Sequence, residues 1–178
     1  MNVAIIGAGA SGCICAYYLG VNREVNNGVN KELNVTLFDK NLPLRTILQT
    51  GGGRCNLAHA EYDFKELAKN YPRGEKFLYS VFSRFSTSDT IEMFEQMGIK
   101  TYTQDDGRIF PESNSSKDVQ ETILKELRKL RIRFVQMEIK DIKTQLKDFD
   151  SVVVATGGHS GYELLKQLGV NKIGRAHV

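Results

Sequence analysis

The sequence predicts an α/β domain built on a largely parallel sheet, and three observations carry that expectation. Short, continuous apolar runs at residues 3–6, 35–38 and 151–155 read as strands covered on both faces. Helical segments lie between them, the alternation that builds a parallel sheet. The first and last of these runs end in glycine-rich turns, Gly7-Ala8-Gly9-Ala10-Ser11-Gly12 and Ala155-Thr156-Gly157-Gly158.

The elements follow in order. After the first turn, residues 11–19 form a short helix, with Gly20 as its stop. Residues 21–34, rich in asparagine, read as a surface insertion before the second strand. From Asp39 the chain is irregular up to Leu57, then helical through residues 64–68 and 77–85. Ser86 three residues before Asp89 is a capping box for a helix that Gly98 ends. Residues 99–103 and 108–110 make a hairpin around Asp105-Asp106-Gly107. Val119, Ile123, Leu127 and Leu130 recur at helical spacing over residues 116–130. Residues 132–139 and 151–155 close the chain with strands, and residues 58–115 read as a helical and hairpin insertion.

Composition excludes several classes. The 178 residues suffice for one domain, and the 41% apolar content is that of a globular core rather than a disordered chain. The net charge of +3 is too small and too scattered for a nucleic-acid-binding face. The basic run at Lys125, Arg128, Lys129, Arg131 and Arg133 reads as a solvated helix face. Cys13, Cys15 and Cys55 match neither CxxC nor a zinc knuckle, so no disulfide framework or structural metal is expected. No apolar stretch approaches the roughly 18 residues of a membrane span, which gives a cytoplasmic expectation.

The chemistry lies in the glycine turns. GxGxxG after a strand and opening a helix is the Rossmann dinucleotide-binding context: Gly7 for the turn, Gly9 for close approach of a pyrophosphate, Gly12 for helix packing, and amides at Ala10 and Ser11 to meet the anion. Asp39 ends the second strand, where a carboxylate accepts ribose hydroxyls and repels a 2′-phosphate, favouring FAD or NAD over NADP. It lies 27 residues after Gly12 rather than the usual ~20, the surplus being the asparagine-rich insertion. Thr50-Gly51-Gly52-Gly53-Arg54-Cys55-Asn56 suits neither helix nor strand; its amides, guanidinium and carboxamide form a donor set for phosphate or a flavin edge. Strand ends in such a sheet line one crevice, so the glycine turns are expected to face one ligand.

The motifs IIGAGASG, TLFDK, TGGGRCN, SRFSTSDTIEMFEQMGI, DDGRIFPESNSSKDV and VVVATGG, in that order, resemble the HI0933-like (BaiN-type) family of bacterial flavoproteins. The resemblance implies a glutathione-reductase-type FAD domain and an FAD-dependent oxidoreductase. It places Gly7, Gly9, Ser11, Gly12, Asp39 and Lys40 at the ADP half of FAD. Arg45, Arg54, Cys55 and Asn56 fall near the pyrophosphate and flavin, joining the Gly52 and Gly53 amides of the loop's own donor set, with the backbone around Ile139 near the adenine, and Ala155, Thr156 and Gly157 beside the cofactor. Leu44-Arg45-Thr46 departs from the family's GRK, and Ala58-His59 from its Thr-Asn.

Family members are longer, with a substrate-side domain, so the chain reads as an incomplete, N-terminal fragment over residues 1–172. The last six residues, Ile173-Gly174-Arg175-Ala176-His177-Val178, are what a common sequencing adapter encodes and read as a non-native tail. The expected partners are a small-molecule substrate of unknown identity and NAD(P)H as candidate electron donor, without nucleic acid or membrane. No catalytic side chain stands out. The alternatives are an NAD-binding dehydrogenase domain, against which TGGGRCN argues, and a truncated module that binds the nucleotide without turnover. An RNA-modifying flavoenzyme has only the slight positive charge in its favour.

Overall fold

The computed structural model describes residues 1–25, 33–157 and 161–169. Most of the asparagine-rich insertion, Gly158 to Ser160 and the expected tail lie outside these residues. The elements in chain order are β1 (Asn2–Ile6), α1 (Ala10–Val25), β2 (Asn34–Asp39), a 3₁₀ segment (Arg45–Gly53), β3 (Ala58–His59), α2 (Phe64–Lys69), α3 (Glu75–Phe82), α4 (Thr87–Gln96), β4 (Thr101–Thr103), β5 (Arg108–Pro111), α5 (Ser116–Lys129), β6 (Arg133–Gln136), α6 (Ile142–Gln145), β7 (Ser151–Val154) and α7 (Tyr162–Gln167). They form two compact units, Met1–Ile47 with Ile123–Val178, and Leu48–Thr122.

The first unit holds a parallel four-stranded sheet in the order β6-β2-β1-β7. Its strands alternate side chains between two faces. Ala4, Ile6 and Phe38 join Ile139, Ile142, Leu146 and Leu164 in one core layer, under α6 and α7. Helix α1 packs against β1 and β2. Its buried positions Cys13, Ala16, Tyr17 and Gly20 recur at helical spacing and define its inner face. The parallel sheet and its helical connections are as expected from the sequence.

Three local expectations are corrected. Helix α1 does not stop at Gly20 but runs to Val25. Gly20 is instead a packing residue: a Cβ there would stand 2.9 Å from Leu130 Cβ and 3.1 Å from Leu130 Cδ1. The strand expected over residues 132–139 is shorter, Arg133–Gln136, because the chain leaves the sheet once the Met137 amide has bonded the Asp39 carbonyl at 2.9 Å. The stretch between Asp39 and Leu57 is not wholly irregular, since Arg45–Gly53 winds as 3₁₀ helix with a break at Thr50, Gly51 and Gly52.

In the second unit, β3-β5-β4 form an antiparallel sheet. The hairpin β4-β5 turns at Asp105-Asp106-Gly107, where the Gly107 amide bonds the Gln104 carbonyl at 2.9 Å. The capping box is present: the Ser86 hydroxyl accepts from the Asp89 amide, and the Asp89 carboxylate accepts from the Ser86 amide at 2.7 Å. Asp63 caps α2 by accepting from the Lys65 and Glu66 amides.

The α1 packing makes a prediction. Alanine is the better helix former, by about 1 kcal/mol over glycine. Gly20→Ala is nevertheless expected to lose about 1–2 kcal/mol in urea unfolding, because Leu130 must move. In a Leu130→Gly background, which removes both the Cβ and the Cδ1, the further change Gly20→Ala should cost less than it does in the wild type.

Candidate functional site

The carboxyl ends of the first unit's strands surround a cleft of about 580 Å³, within the range that holds small ligands. The turn after β1 forms one wall. Gly7 has φ +105°, and a Cβ on it would stand 2.4 Å from the Ala155 carbonyl oxygen. A Cβ on Gly12 would stand 1.8 Å from the Gly7 carbonyl oxygen. Gly7 and Gly12 are therefore required by the fold. At Gly9 a Cβ would meet nothing within 4 Å, and its open side lies on the cleft together with Ala10 and Ser11.

Gly9 is also the N-cap of α1, its carbonyl accepting the Cys13 amide at 3.0 Å. The amides of Ala10, Ser11 and Gly12 have no carbonyl one turn earlier in the helix. No acidic residue stands in that first turn to oppose an anion.

Asp39 closes β2 on the cleft and holds the turn in place. Its Oδ2 accepts the Ala8 amide at 2.8 Å, and its Oδ1 accepts the Asn41 amide at 2.8 Å. An ionised carboxylate has about four acceptor sites, so two remain for a ligand. Beside it, exposed Lys40 pairs with Glu138 at 3.2 Å. The Lys40 hydrogen bond and charge hold the Glu138 carboxyl below the usual carboxylate range. Buried Ile139 and the Ala155, Thr156 and Gly157 turn complete the lining. Thr156 Oγ1 is buried and has no hydrogen-bond partner among the described residues.

The two expected glycine turns of this unit, after β1 and after β7, therefore share one cleft. Gly12 packs beneath it rather than lining it. Exposed Arg45 is not on its lining, whereas its neighbour Thr46 is. The sequence does not mark Glu138, because the run from Ile132 through Ile139 places it inside a strand. The early end of β6 makes Glu138 a strand-end residue, the position where ligand contacts gather.

Gly52, Gly53, Arg54, Cys55 and Asn56 belong to the second unit. There Gly51, Gly52 and Gly53 all have positive φ, and a Cβ on Gly51 would stand 2.8 Å from both the Asn56 nitrogen and Phe110 Cε1. Arg54 lies over the Phe110 ring at 4.0 Å and donates to the Gly51 carbonyl at 3.2 Å. Its guanidinium braces the loop. Gly52 and Asn56 are exposed, while Cys55 is buried. Burial pushes the Cys55 thiol up, a Thr50 hydrogen bond opposing it.

A glycine turn between a parallel strand and a helix, with a carboxylate ending the next strand, defines a Rossmann-type α/β domain. Residues 1–173 match the HI0933-like protein Rossmann domain, and the chain belongs to that family. It is 27% identical to the 3-dehydro-bile acid delta(4,6)-reductase of Clostridium scindens, covering 94% of this chain and 44% of the relative. It is 26% identical to the ribosomal RNA dihydrouridine synthase of Escherichia coli, covering 96% of this chain and 45% of the relative. The chain thus spans less than half the length of these curated relatives. Among solved structures, the iminodiacetate oxidase of Chelativorans sp. BNC1 aligns with a TM-score of 0.46 at 15% identity, over 95% of this chain and 58% of that one. No helix among the described residues is long and apolar enough to cross a membrane.

Two outcomes are expected. Asparagine offers one oxygen to the two amides that Asp39 serves, so Asp39→Asn should lose about 2 kcal/mol in urea unfolding. Burial, reinforced by the Asp39 charge, pushes the Cys13 thiol up to about 12. Cys13 should therefore resist iodoacetamide at pH 8 in the folded protein and react once urea unfolds it, as mapped by mass spectrometry.

Proposed function

We propose that this chain is the FAD-binding part of a flavin-dependent oxidoreductase, with the dinucleotide held in the cleft of the first unit. The observation that carries this reading is Gly9. Every other described glycine either has a positive φ or would place a Cβ closer than 3.0 Å to a neighbour; Gly9 has neither constraint. At an N-cap, Ser, Asp and Asn outrank glycine because their side chains satisfy the first-turn amides. Folding alone does not call for a bare backbone there, whereas a pyrophosphate approaching those amides does.

The donor set fits the cofactor. Gly9, Ala10 and Ser11 would hold the pyrophosphate, Asp39 the ribose hydroxyls, the backbone at Ile139 the adenine, and Thr156 with Gly157 the remaining polar length. Lys40, tied to Glu138, would stand at the adenosine end. Asp39 and Glu138 place two carboxylates on the cleft, which disfavours a 2′-phosphate and supports FAD over a phosphorylated nicotinamide cofactor. When bound, a flavin supplies hydride and electron transfer, and this chain supplies binding and orientation.

The names of the bile-acid reductase and the dihydrouridine synthase both denote addition of hydrogen to a carbon–carbon double bond. We carry that reaction class to the full-length protein. A bile acid and ribosomal RNA differ too much in size and charge for either substrate to be carried with it.

The test is cofactor retention. The purified chain, incubated with FAD and desalted, should keep flavin absorbance, and NAD should not displace it. Gly9→Ala should stay folded, its Tm within about 3 °C of wild type, while FAD affinity falls at least about tenfold. Gly12→Ala should fail to fold stably, since its Cβ would overlap the Gly7 carbonyl. If Gly9→Ala bound FAD as wild type does, the reading would be wrong.

A further inference from the structure

We propose that the outward side of α3 is a docking surface, covered in the full-length protein by an apolar helix from the polypeptide outside this chain. The proposal goes beyond the cofactor reading and rests only on this chain being part of a longer protein. Helix α3 reads EKFLYSVF, five of its eight residues apolar or aromatic, yet none of them is buried. One side is accounted for by the neighbouring α2. There Tyr79 meets the Phe64 ring with centroids 6.2 Å apart, and Phe82 meets Tyr71, just past α2, at 5.5 Å. The other side is open. Phe77 and Val81 stand one turn apart on it, 74% and 41% exposed. The Phe85 amide bonds the Val81 carbonyl at 3.1 Å, which carries the same side one turn further to exposed Phe85.

A helix that is apolar on more than one side is ordinarily buried between two layers, and the described residues leave the second side of α3 bare. The chain spans 44% and 45% of two curated relatives, while 94% and 96% of it aligns with them. More than half of such a protein therefore lies outside the matched part and needs apolar surface to pack on. Size separates this occupant from a second copy. At 1.5 Å per residue α3 is about 12 Å long, so two copies meeting along it would bury far less than the roughly 1,200 Å² of a stable dimer. A tethered segment needs no such area, because its effective concentration is about millimolar. Chemistry separates it from nucleic acid: Val81, in the middle of the side, offers no ring for a base to stack on. The spacing of Phe77, Val81 and Phe85 suits a helix that lays its own apolar stripe along them.

The experiment compares the 178-residue chain with the full-length protein expressed from the gene that carries this sequence. Hydroxyl-radical footprinting, read by mass spectrometry, should oxidise Phe77 readily in the chain, and most of that labelling should be lost in the full-length protein. Phe77→Glu should leave the Tm of the chain within about 2 °C of wild type, because the side is open there. The same change should lower the Tm of the full-length protein by at least about 4 °C, because it buries a charge. Equal labelling of Phe77 in the two proteins overturns the proposal, as does a gene that ends with this chain. Protection that vanishes when the full-length protein is diluted would mark a second copy, and protection that requires added poly(U) would mark nucleic acid; either overturns it. None of these readings uses FAD, so a failure of the cofactor reading leaves them unchanged.

Discussion

The carboxyl edge of the parallel sheet depends on main chain meeting main chain where no side chain fits. Gly7 abuts the Ala155 carbonyl, and Gly12 abuts the Gly7 carbonyl. Those contacts set where α1 leaves β1 and how closely β7 lies beside the turn. The Gly7 amide bonds the Phe38 carbonyl at 2.7 Å and the Ala155 amide bonds the Ile6 carbonyl at 2.7 Å, so both ladders continue into the turn. The first-turn amides of α1 are aimed by this backbone packing rather than by any side chain. Such aim is rigid, which is what an anion site needs to avoid reorganising when its ligand arrives.

Ala8 ties the edge together. Its amide is held by Asp39, and its carbonyl accepts the Leu44 amide at 2.7 Å and the Cys13 thiol at 3.4 Å. Leu44 is buried with φ 58°, a left-handed backbone that leucine adopts at a cost. Its amide anchors the chain to the turn, and the surrounding packing sustains that conformation. Asp39 consequently has two roles. It holds the turn by one oxygen and the Asn41 amide by the other, while keeping acceptor capacity facing the cleft. The turn and the cleft lining share that carboxylate, so a substitution there alters both together.

The sequence was most legible where local chemistry and position agree. β1, β2 and β7 stood out as apolar runs because parallel strands are covered on both faces. The Ser86 and Asp89 capping box and the α5 periodicity could be read from spacing alone. Gly20 could not: a glycine near the end of an apolar stretch looks like a helix stop, and only the position of Leu130, far along the chain, shows that it makes room. Glu138 was hidden for a related reason. The run through Ile139 is apolar enough to extend β6, and the departure of Met137 toward the Asp39 carbonyl is a tertiary event. The break at Thr50 to Gly52 was legible as a loop, but the 3₁₀ winding around it depends on packing that no short-range pattern announces.

Natural sequences agree with their folds at most positions, and exceptions concentrate at functional sites. In this chain the caps on α2 and α4, the hairpin turn, and the glycines at Gly7, Gly12 and Gly20 all follow from folding. Gly9 does not. It leaves a helix start without a capping side chain where a Cβ has room, and its open side lies on the cleft wall. A ligand with anionic oxygens accounts for that exception, because it needs bare amides at that point.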